Sequence, residues 1–92
     1  MMRQYMIIEK FYPEKLRRMY QRFAEKGRML PAGVNFINSW IDEDVTICYQ
    51  LMEAESLEQL QSWIDQWKDF ADFEVIRVIE SAEAKAKVLG SL

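Results

Sequence analysis

Histidine is absent from this 92-residue sequence, and cysteine occurs once, at Cys48. Without histidine the chain has no imidazole for acid–base catalysis or for binding metal, and no proximal ligand of the kind most often used for haem. With one cysteine it also lacks the thiolates of a zinc site and the partner for an internal disulfide. We therefore predict no metal and no cofactor, and the lack of a disulfide framework favours a cytoplasmic location.

Glycine and long apolar runs are scarce as well. The three glycines, Gly27, Gly33 and Gly90, form no phosphate-binding spacing. No stretch approaches the ~20 apolar residues of a membrane-spanning helix. Residues Met1–Glu9 lack the apolar core and cleavage site of a secretion signal. The sequence therefore predicts neither a glycine-rich nucleotide loop nor a membrane partner.

Apolar residues, in contrast, are plentiful: half of the chain is hydrophobic and 13% is aromatic. A chain of this length fits one domain, residues 1–92, because so small a chain buries only somewhat more than ~60% of its unfolded surface. That much apolar surface is difficult for a small monomer to hide. We therefore expect part of it to meet a second subunit.

Charge is distributed unevenly, although the net charge is only −3. Residues 13–28 hold six basic and two acidic side chains, whereas residues 42–83 hold twelve acidic and two basic ones. The basic segment is interpreted as the solvated face of a helix, which can also orient an anionic ligand or partner.

The hydrophobic pattern predicts an α+β domain of the ferredoxin-like βαββαβ type. Apolar residues at helical spacing follow Pro13 and follow a capping-box pattern at Ser56, with Gly27 as a left-handed helix cap. Runs rich in β-branched and aromatic residues predict four strands. The predicted order is a strand at Gln4–Phe11, a helix at 13–27, strands at Val34–Ile41 and Val45–Met52, a helix at 56–67, a strand at Phe73–Ile79 and a short tail helix at Ser81–Leu89.

This order implies a four-stranded antiparallel sheet with both main helices on one face. The first strand and the hairpin carry large apolar residues on both faces, so the other face would be left uncovered. A second copy pairing sheet to sheet is the simplest cover, and a symmetric dimer is the commonest oligomer. Val88 and Leu89 of the tail helix could also contact a neighbour.

The hairpin supplies the candidate ligand-binding residues. A two-residue loop at Glu43 and Asp44 would place Trp40 opposite Ile47, Asn38 opposite Tyr49 and Phe36 opposite Leu51. An aromatic surface with a few converging polar groups is typical of a small-molecule site, and the same residues could instead pack a dimer interface. The candidate residues, which share one face under this register, are Asn38, Trp40, Tyr49 and Glu53.

Two other features of the hairpin receive structural interpretations. Cys48 lies inside a predicted strand, so it is expected to be a buried, inert thiol. The acidic turn Asp42–Asp44 is expected to be solvated, because the twelve-residue calcium-loop pattern is absent.

Five segments carry a resemblance to a known family, namely Tyr5–Phe11, Arg22–Pro31, Ser39–Trp40, Cys48–Glu53 and Trp63–Ala82. In these segments the sequence resembles a family of short bacterial proteins catalogued as a domain of unknown function. That family is similar to the dimeric α/β barrel superfamily, in which two ferredoxin-like sheets pair face to face. Some members of the superfamily are cofactor-independent oxygenases or haem-degrading enzymes, and others are small stress-related or sensing proteins. The haem-degrading branch would need a histidine, which is missing here.

Three functional hypotheses follow. The first is a homodimer that binds a small, partly apolar or anionic ligand in a cavity between sheet and helices. The second is a cofactor-independent monooxygenase or isomerase, with Tyr49 or Glu53 moving a proton and Asn38 and Trp40 positioning substrate. The third is an RNA-binding module with this strand order, which the acidic charge and the absence of Lys and Arg from the third strand oppose.

Overall fold

The computed structural model describes residues 1–90 and confirms the ferredoxin-like α+β fold. Four antiparallel strands form one sheet in the order β2-β3-β1-β4, so β1 and β3 are central. A short 3-10 turn at Pro13–Lys15 precedes the first helix. The elements are β1 (Arg3–Phe11), α1 (Leu16–Lys26), β2 (Val34–Ile41), β3 (Ile47–Ala54), α2 (Leu57–Ile64), β4 (Ala71–Val78) and α3 (Ser81–Val88).

The core lies between one face of the sheet and the two main helices. Tyr5, Ile7 and Phe11 alternate along β1 and are buried, as the two-residue period of a strand requires. They belong to one cluster with Met19 of α1 and Leu60 of α2. Full burial of such side chains contributes about 1.5–3 kcal/mol each. The sequence therefore fixes which face of β1 the helices cover.

The helix boundaries differ in detail from the prediction. Pro13 opens the 3-10 turn, and α1 itself begins at Leu16. Gly27 ends α1 with a positive φ of 66°, but its ψ of −155° lies outside the left-handed helical region that was predicted. The Ser56 hydroxyl accepts a bond from the Gln59 amide at 3.3 Å, which confirms the N-cap. Regular α2 ends at Ile64, so the predicted helix continues only as turns beyond that residue.

The predicted hairpin register is wrong by two residues. The connection spans residues 42–46, and Asp42 Oδ1 accepts bonds from the Thr46 and Ile47 amides at 2.6 and 2.7 Å. Trp40 therefore lies opposite Tyr49, and Asn38 lies opposite Leu51. A shift of two residues keeps side chains on the same face, so the predicted grouping of these residues survives.

Phe36 is the exception within the hairpin. An irregularity between Phe36 and Asn38 places Phe36 opposite Met52, on the face that the helices cover. The prediction that Phe36 faces Leu51 is therefore wrong, because the extra residue at Ile37 reverses the side-chain alternation.

Two further observations concern residues 1–90. No helix in this range is long and apolar enough to cross a membrane. No three acidic, cysteine or histidine side chains in the same range are grouped so that they could hold a metal ion.

Val45 offers a test of the hairpin connection. Its φ of 58° lies in the left-handed region, where a β-branched side chain is strained and asparagine is tolerated. We expect Val45→Asn to raise the free energy of unfolding by roughly 1 kcal/mol. Urea denaturation measures the change, with Glu43→Asn in the same turn as the control. An unchanged or lowered stability would show that the Val45 backbone is not strained in solution.

Candidate functional site

A cavity of about 80 Å³ lies between the sheet and α1. Its walls come from the helix-facing side of β1, β2 and β3, from α1, and from the tryptophans of α2 and the turn that follows. Most of the lining is apolar or aromatic. Four polar or charged side chains interrupt that lining, namely Glu9, Arg28, Ser39 and Gln50.

Glu9 reaches this cavity because of the strand alternation in β1. It follows Tyr5 and Ile7 at two-residue intervals, so its carboxyl group points to the helix side with them. Its neighbours across the sheet are Cys48 of β3 and Phe73 of β4. Only 8% of Glu9 is exposed. The fold therefore holds an acidic side chain where its neighbours in the strand are apolar.

The environment of Glu9 favours its neutral form. Burial raises the pKa of the Glu9 carboxyl from 4.5 to about 7, although the Cys48 thiol and the charge of Arg28 partly offset this effect. Among residues 1–90, no group donates a hydrogen bond to Oε2 of Glu9. Buried polar atoms in proteins almost always have a partner. The Oε2 atom of Glu9 is therefore an exception among the buried side-chain polar atoms of residues 1–90.

Cys48 is a neighbour of this carboxyl group rather than a reactive thiol. It is 5% exposed, and burial together with Glu9 raises its pKa to about 12. At neutral pH the thiol is protonated and a poor nucleophile. The predicted burial of Cys48 is confirmed, and its raised pKa agrees with the expectation of an inert thiol.

Arg28 is held at the cavity by its own backbone. The indole Nε1 atoms of Trp63 and Trp67 both donate to the Arg28 carbonyl, at 2.9 and 3.0 Å. Gln66 Nε2 donates to the next carbonyl, that of Met29, at 3.1 Å. The Arg28 guanidinium lies over the ring of Phe36, 3.5 Å from its centroid. Contacts of this kind restrict the position of the guanidinium and favour a cation there.

The four residues predicted from the sequence lie together, but on the opposite side of the sheet. They belong to what we call the open face, the side of the sheet that α1 and α2 do not cover. Trp40 and Tyr49 are paired there and are 52% and 39% exposed. Glu53 accepts a hydrogen bond from Asn35 Nδ2 at 3.1 Å, and Asn38 lies opposite Leu51. None of these four residues lines the cavity that contains Glu9.

Glu9, Arg28 and Gln50 were not singled out by the sequence reasoning. One signal for Glu9 was available: residues 5, 7, 9 and 11 form one face of the first strand, and Glu9 is the charged member of that set. Arg28 reaches the cavity from the loop after α1, and no comparable sequence pattern indicates this position.

These features describe a small ferredoxin-like α+β domain with a partly polar cavity between sheet and helices. The chain belongs to the DUF3303 family, described as a domain of unknown function, whose model matches residues 3–92. A search of curated proteins gave no match. Among solved structures, the chain is similar to the protein SCO4226 from Streptomyces coelicolor A3(2). The two share 22% identity over 85% of this chain and 98% of the other, with a TM-score of 0.53. At that identity the likeness shows a shared fold.

Burial of Glu9 predicts a dependence of stability on pH. Because the folded pKa is raised, the stabilising contribution is fully present below pH 4.5 and is lost as the pH rises through about 7. The shift from 4.5 to about 7 corresponds to about 3 kcal/mol. We expect Glu9→Gln to remove this loss, so the variant gains stability relative to wild type above pH 7.

Urea denaturation at pH 4.5, 6 and 8, at one fixed protein concentration, measures this difference. Glu58→Gln, on the exposed side of α2, is the control for the change of net charge. If Glu9→Gln and wild type lose stability in parallel over this range, the Glu9 carboxyl is not buried as the structure places it.

Proposed function

We propose that this protein is a homodimer that binds a small, partly apolar ligand in the cavity between the sheet and α1. The observation that carries this proposal is a largely aromatic cavity lined by Glu9, a buried acidic residue whose Oε2 atom has no hydrogen-bond partner among residues 1–90. Apolar walls with a few converging polar groups are what small-molecule sites have in common. Binding is a simpler role than catalysis, because among the described residues that line the cavity no second residue is placed to act with Glu9 in a reaction.

The size of the cavity limits the ligand. About 80 Å³ is roughly half the volume of a 150 Å³ cavity able to hold benzene. The enclosed part therefore suits a short chain of a few heavy atoms. Tyr20, Phe23 and Ile41, each about two-fifths exposed, lie towards solvent at the mouth, whereas Cys48 and Gln50 are buried at the inner end. A longer apolar group would extend past the three exposed side chains.

The open face supports the homodimer. Met6 and Ile8 of β1, Tyr49 and Leu51 of β3 and Ile76 of β4 form an apolar area that crosses the central strands. None of them is fully buried by the rest of the chain. A contiguous exposed apolar surface is typical of an interaction site, and a second copy offers a matching sheet. Trp40 and Tyr49 would then pack the interface, with Asn38 and Glu53 beside them.

The enzymatic alternative would place the reaction at a different surface. Tyr49 and Glu53 lie on the open face, so a reaction that uses them would take place against the second copy rather than in the cavity. We therefore propose these four residues first as interface residues. A cytoplasmic location stays a prediction.

Ligand binding can be tested by blocking the cavity. Ser39 lines the cavity on β2, so Ser39→Leu should fill it, whereas Ser62→Leu on the exposed side of α2 should not. A panel of short-chain acids, amides, alcohols and amines is titrated into ¹⁵N-labelled protein. We expect at least one compound to shift the amides of Cys48 and Gln50, and Ser39→Leu to weaken that binding more than tenfold.

The same panel contradicts the proposal if no compound shifts these amides, or if Ser39→Leu and Ser62→Leu bind equally well. Native mass spectrometry of freshly purified protein gives an independent readout, since a ligand acquired in the cell would appear as added mass on wild type and be missing from Ser39→Leu.

The dimer can be tested on the open face. Trp40→Glu places a charge in the proposed interface, on the edge strand β2, and burial of an unpaired charge is strongly unfavourable. We expect the variant to be monomeric at micromolar concentrations at which wild type is dimeric, as measured by native mass spectrometry or light scattering. Leu57→Glu, at a similarly exposed apolar residue of α2, is the matched control. A monomeric wild type would overturn the sheet-pairing proposal.

A further inference from the structure

The chemistry of the cavity defines its ligand more narrowly than its size does. Two ionisable groups of opposite type lie in its walls, the Glu9 carboxyl and the Arg28 guanidinium. Arg28 stays charged at all physiological pH values. A ligand that enters this cavity therefore meets a permanent positive charge and a carboxyl group that changes its protonation state.

We propose that the cavity binds a small aliphatic monocarboxylate, whose oxygens accept a hydrogen bond from protonated Glu9 and pair with the guanidinium of Arg28. This inference rests on the proposed small-molecule site and names its ligand class. The aliphatic chain of the ligand would lie among the aromatic side chains that line the rest of the cavity.

Three observations favour a carboxylate over an amine. Arg28 would repel a cation, whereas guanidinium and carboxylate groups match in shape and charge. The Oε2 atom of Glu9 has no hydrogen-bond partner among residues 1–90, so a proton on that oxygen lacks an acceptor there, and a ligand carboxylate would supply one. The basic helix α1, which forms one wall of the cavity, also favours the approach of anions.

Gln50 adds a further donor at the inner end of the cavity. Its side chain is 5% exposed, and its Nε2 atom donates to the sulfur of Met52 at 3.1 Å. A thioether is a weak acceptor, so this amide is poorly satisfied. A ligand carboxylate in the cavity would offer it a better acceptor.

Binding of this kind takes up a proton, because Glu9 must be neutral in the complex. The groups that face Glu9 do not compete with it for that proton near neutral pH. Cys48 on β3 and Tyr20 on α1 both have raised pKa values and stay protonated, and Arg28 stays charged. The other neighbours carry no ionisable side chain: Phe73 on β4, Ser39 and Ile41 on β2, and Trp63 and Trp67 at and beyond α2.

The expected pH dependence follows from this single titration. Glu9, with its pKa of about 7, is mostly neutral at pH 6 and mostly ionised at pH 8. A carboxylate that requires neutral Glu9 should therefore bind roughly tenfold more weakly at pH 8 than at pH 6. Butanoate is a suitable probe, since simple carboxylic acids are fully ionised across this range and its own charge does not change.

The experiment compares butanoate with butanamide and butylammonium, each titrated into ¹⁵N-labelled protein at pH 6 and pH 8. We expect butanoate to bind most tightly and to show the tenfold weakening. Glu9→Gln, which cannot ionise, should bind butanoate with nearly the same Kd at both pH values, whereas the control Glu58→Gln should behave as wild type. Arg28→Met should weaken binding at both pH values.

The outcomes separate this inference from the proposed function. If butylammonium or butanamide binds in the cavity as tightly as butanoate, or if butanoate binding to wild type is independent of pH, the carboxylate inference is wrong and the small-molecule site stands. If none of the three probes shifts the cavity amides and the wider panel is also negative, both are wrong. The pH dependence of butanoate binding to wild type tests the carboxylate inference even if a variant fails to fold.

Discussion

The packing of the helices and loops on the covered side of the sheet depends on one acceptor, the carbonyl oxygen of Arg28. Two indole groups, from Trp63 and Trp67, donate to this one acceptor. They connect the end of α2 and the turn beyond it to the segment between α1 and β2. A buried indole needs an acceptor, so the requirement of two tryptophans is met by one backbone group. The backbone of Arg28 is thereby fixed, and its side chain is directed over Phe36 at the edge of the cavity.

The fixed position of Arg28 suggests a reason for the presence of Glu9, a residue that otherwise opposes folding. An acidic side chain at position 9 of a core strand costs stability whenever it is charged, because burial withdraws it from water. A strand chosen for stability alone would have an apolar residue there, as it does at Tyr5, Ile7 and Phe11. Polar groups that weaken a fold are characteristic of functional sites. The structure accommodates Glu9 beside a positive charge and an open volume, which is an arrangement suited to binding.

How far the sequence predicts this structure depends on the range of the interactions. The bounds of β2, the cap at Ser56 and the βαββαβ order follow from patterns within a few residues, and these predictions are confirmed. The hairpin register failed because Asp42 binds two amides of the turn and lengthens it, which spacing alone does not reveal. The sequence predicts a cavity between the sheet and the helices, but it does not predict the residues that line this cavity. Arg28 reaches it through contacts with residues 35 and 39 positions away in the chain, which no local pattern encodes.

The two faces of β3 separate the proposed ligand site from the proposed dimer interface. Cys48 and Gln50 point to the cavity, while Tyr49 and Leu51 between them point to the open face. Because the alternation is strict, a substitution on one face changes the other face only through the backbone. The proposed ligand site and the proposed dimer interface are therefore one residue apart in sequence, yet separable by mutation. Any coupling between the two would have to pass through the position of the strand itself, since each of these four β3 side chains belongs to one surface.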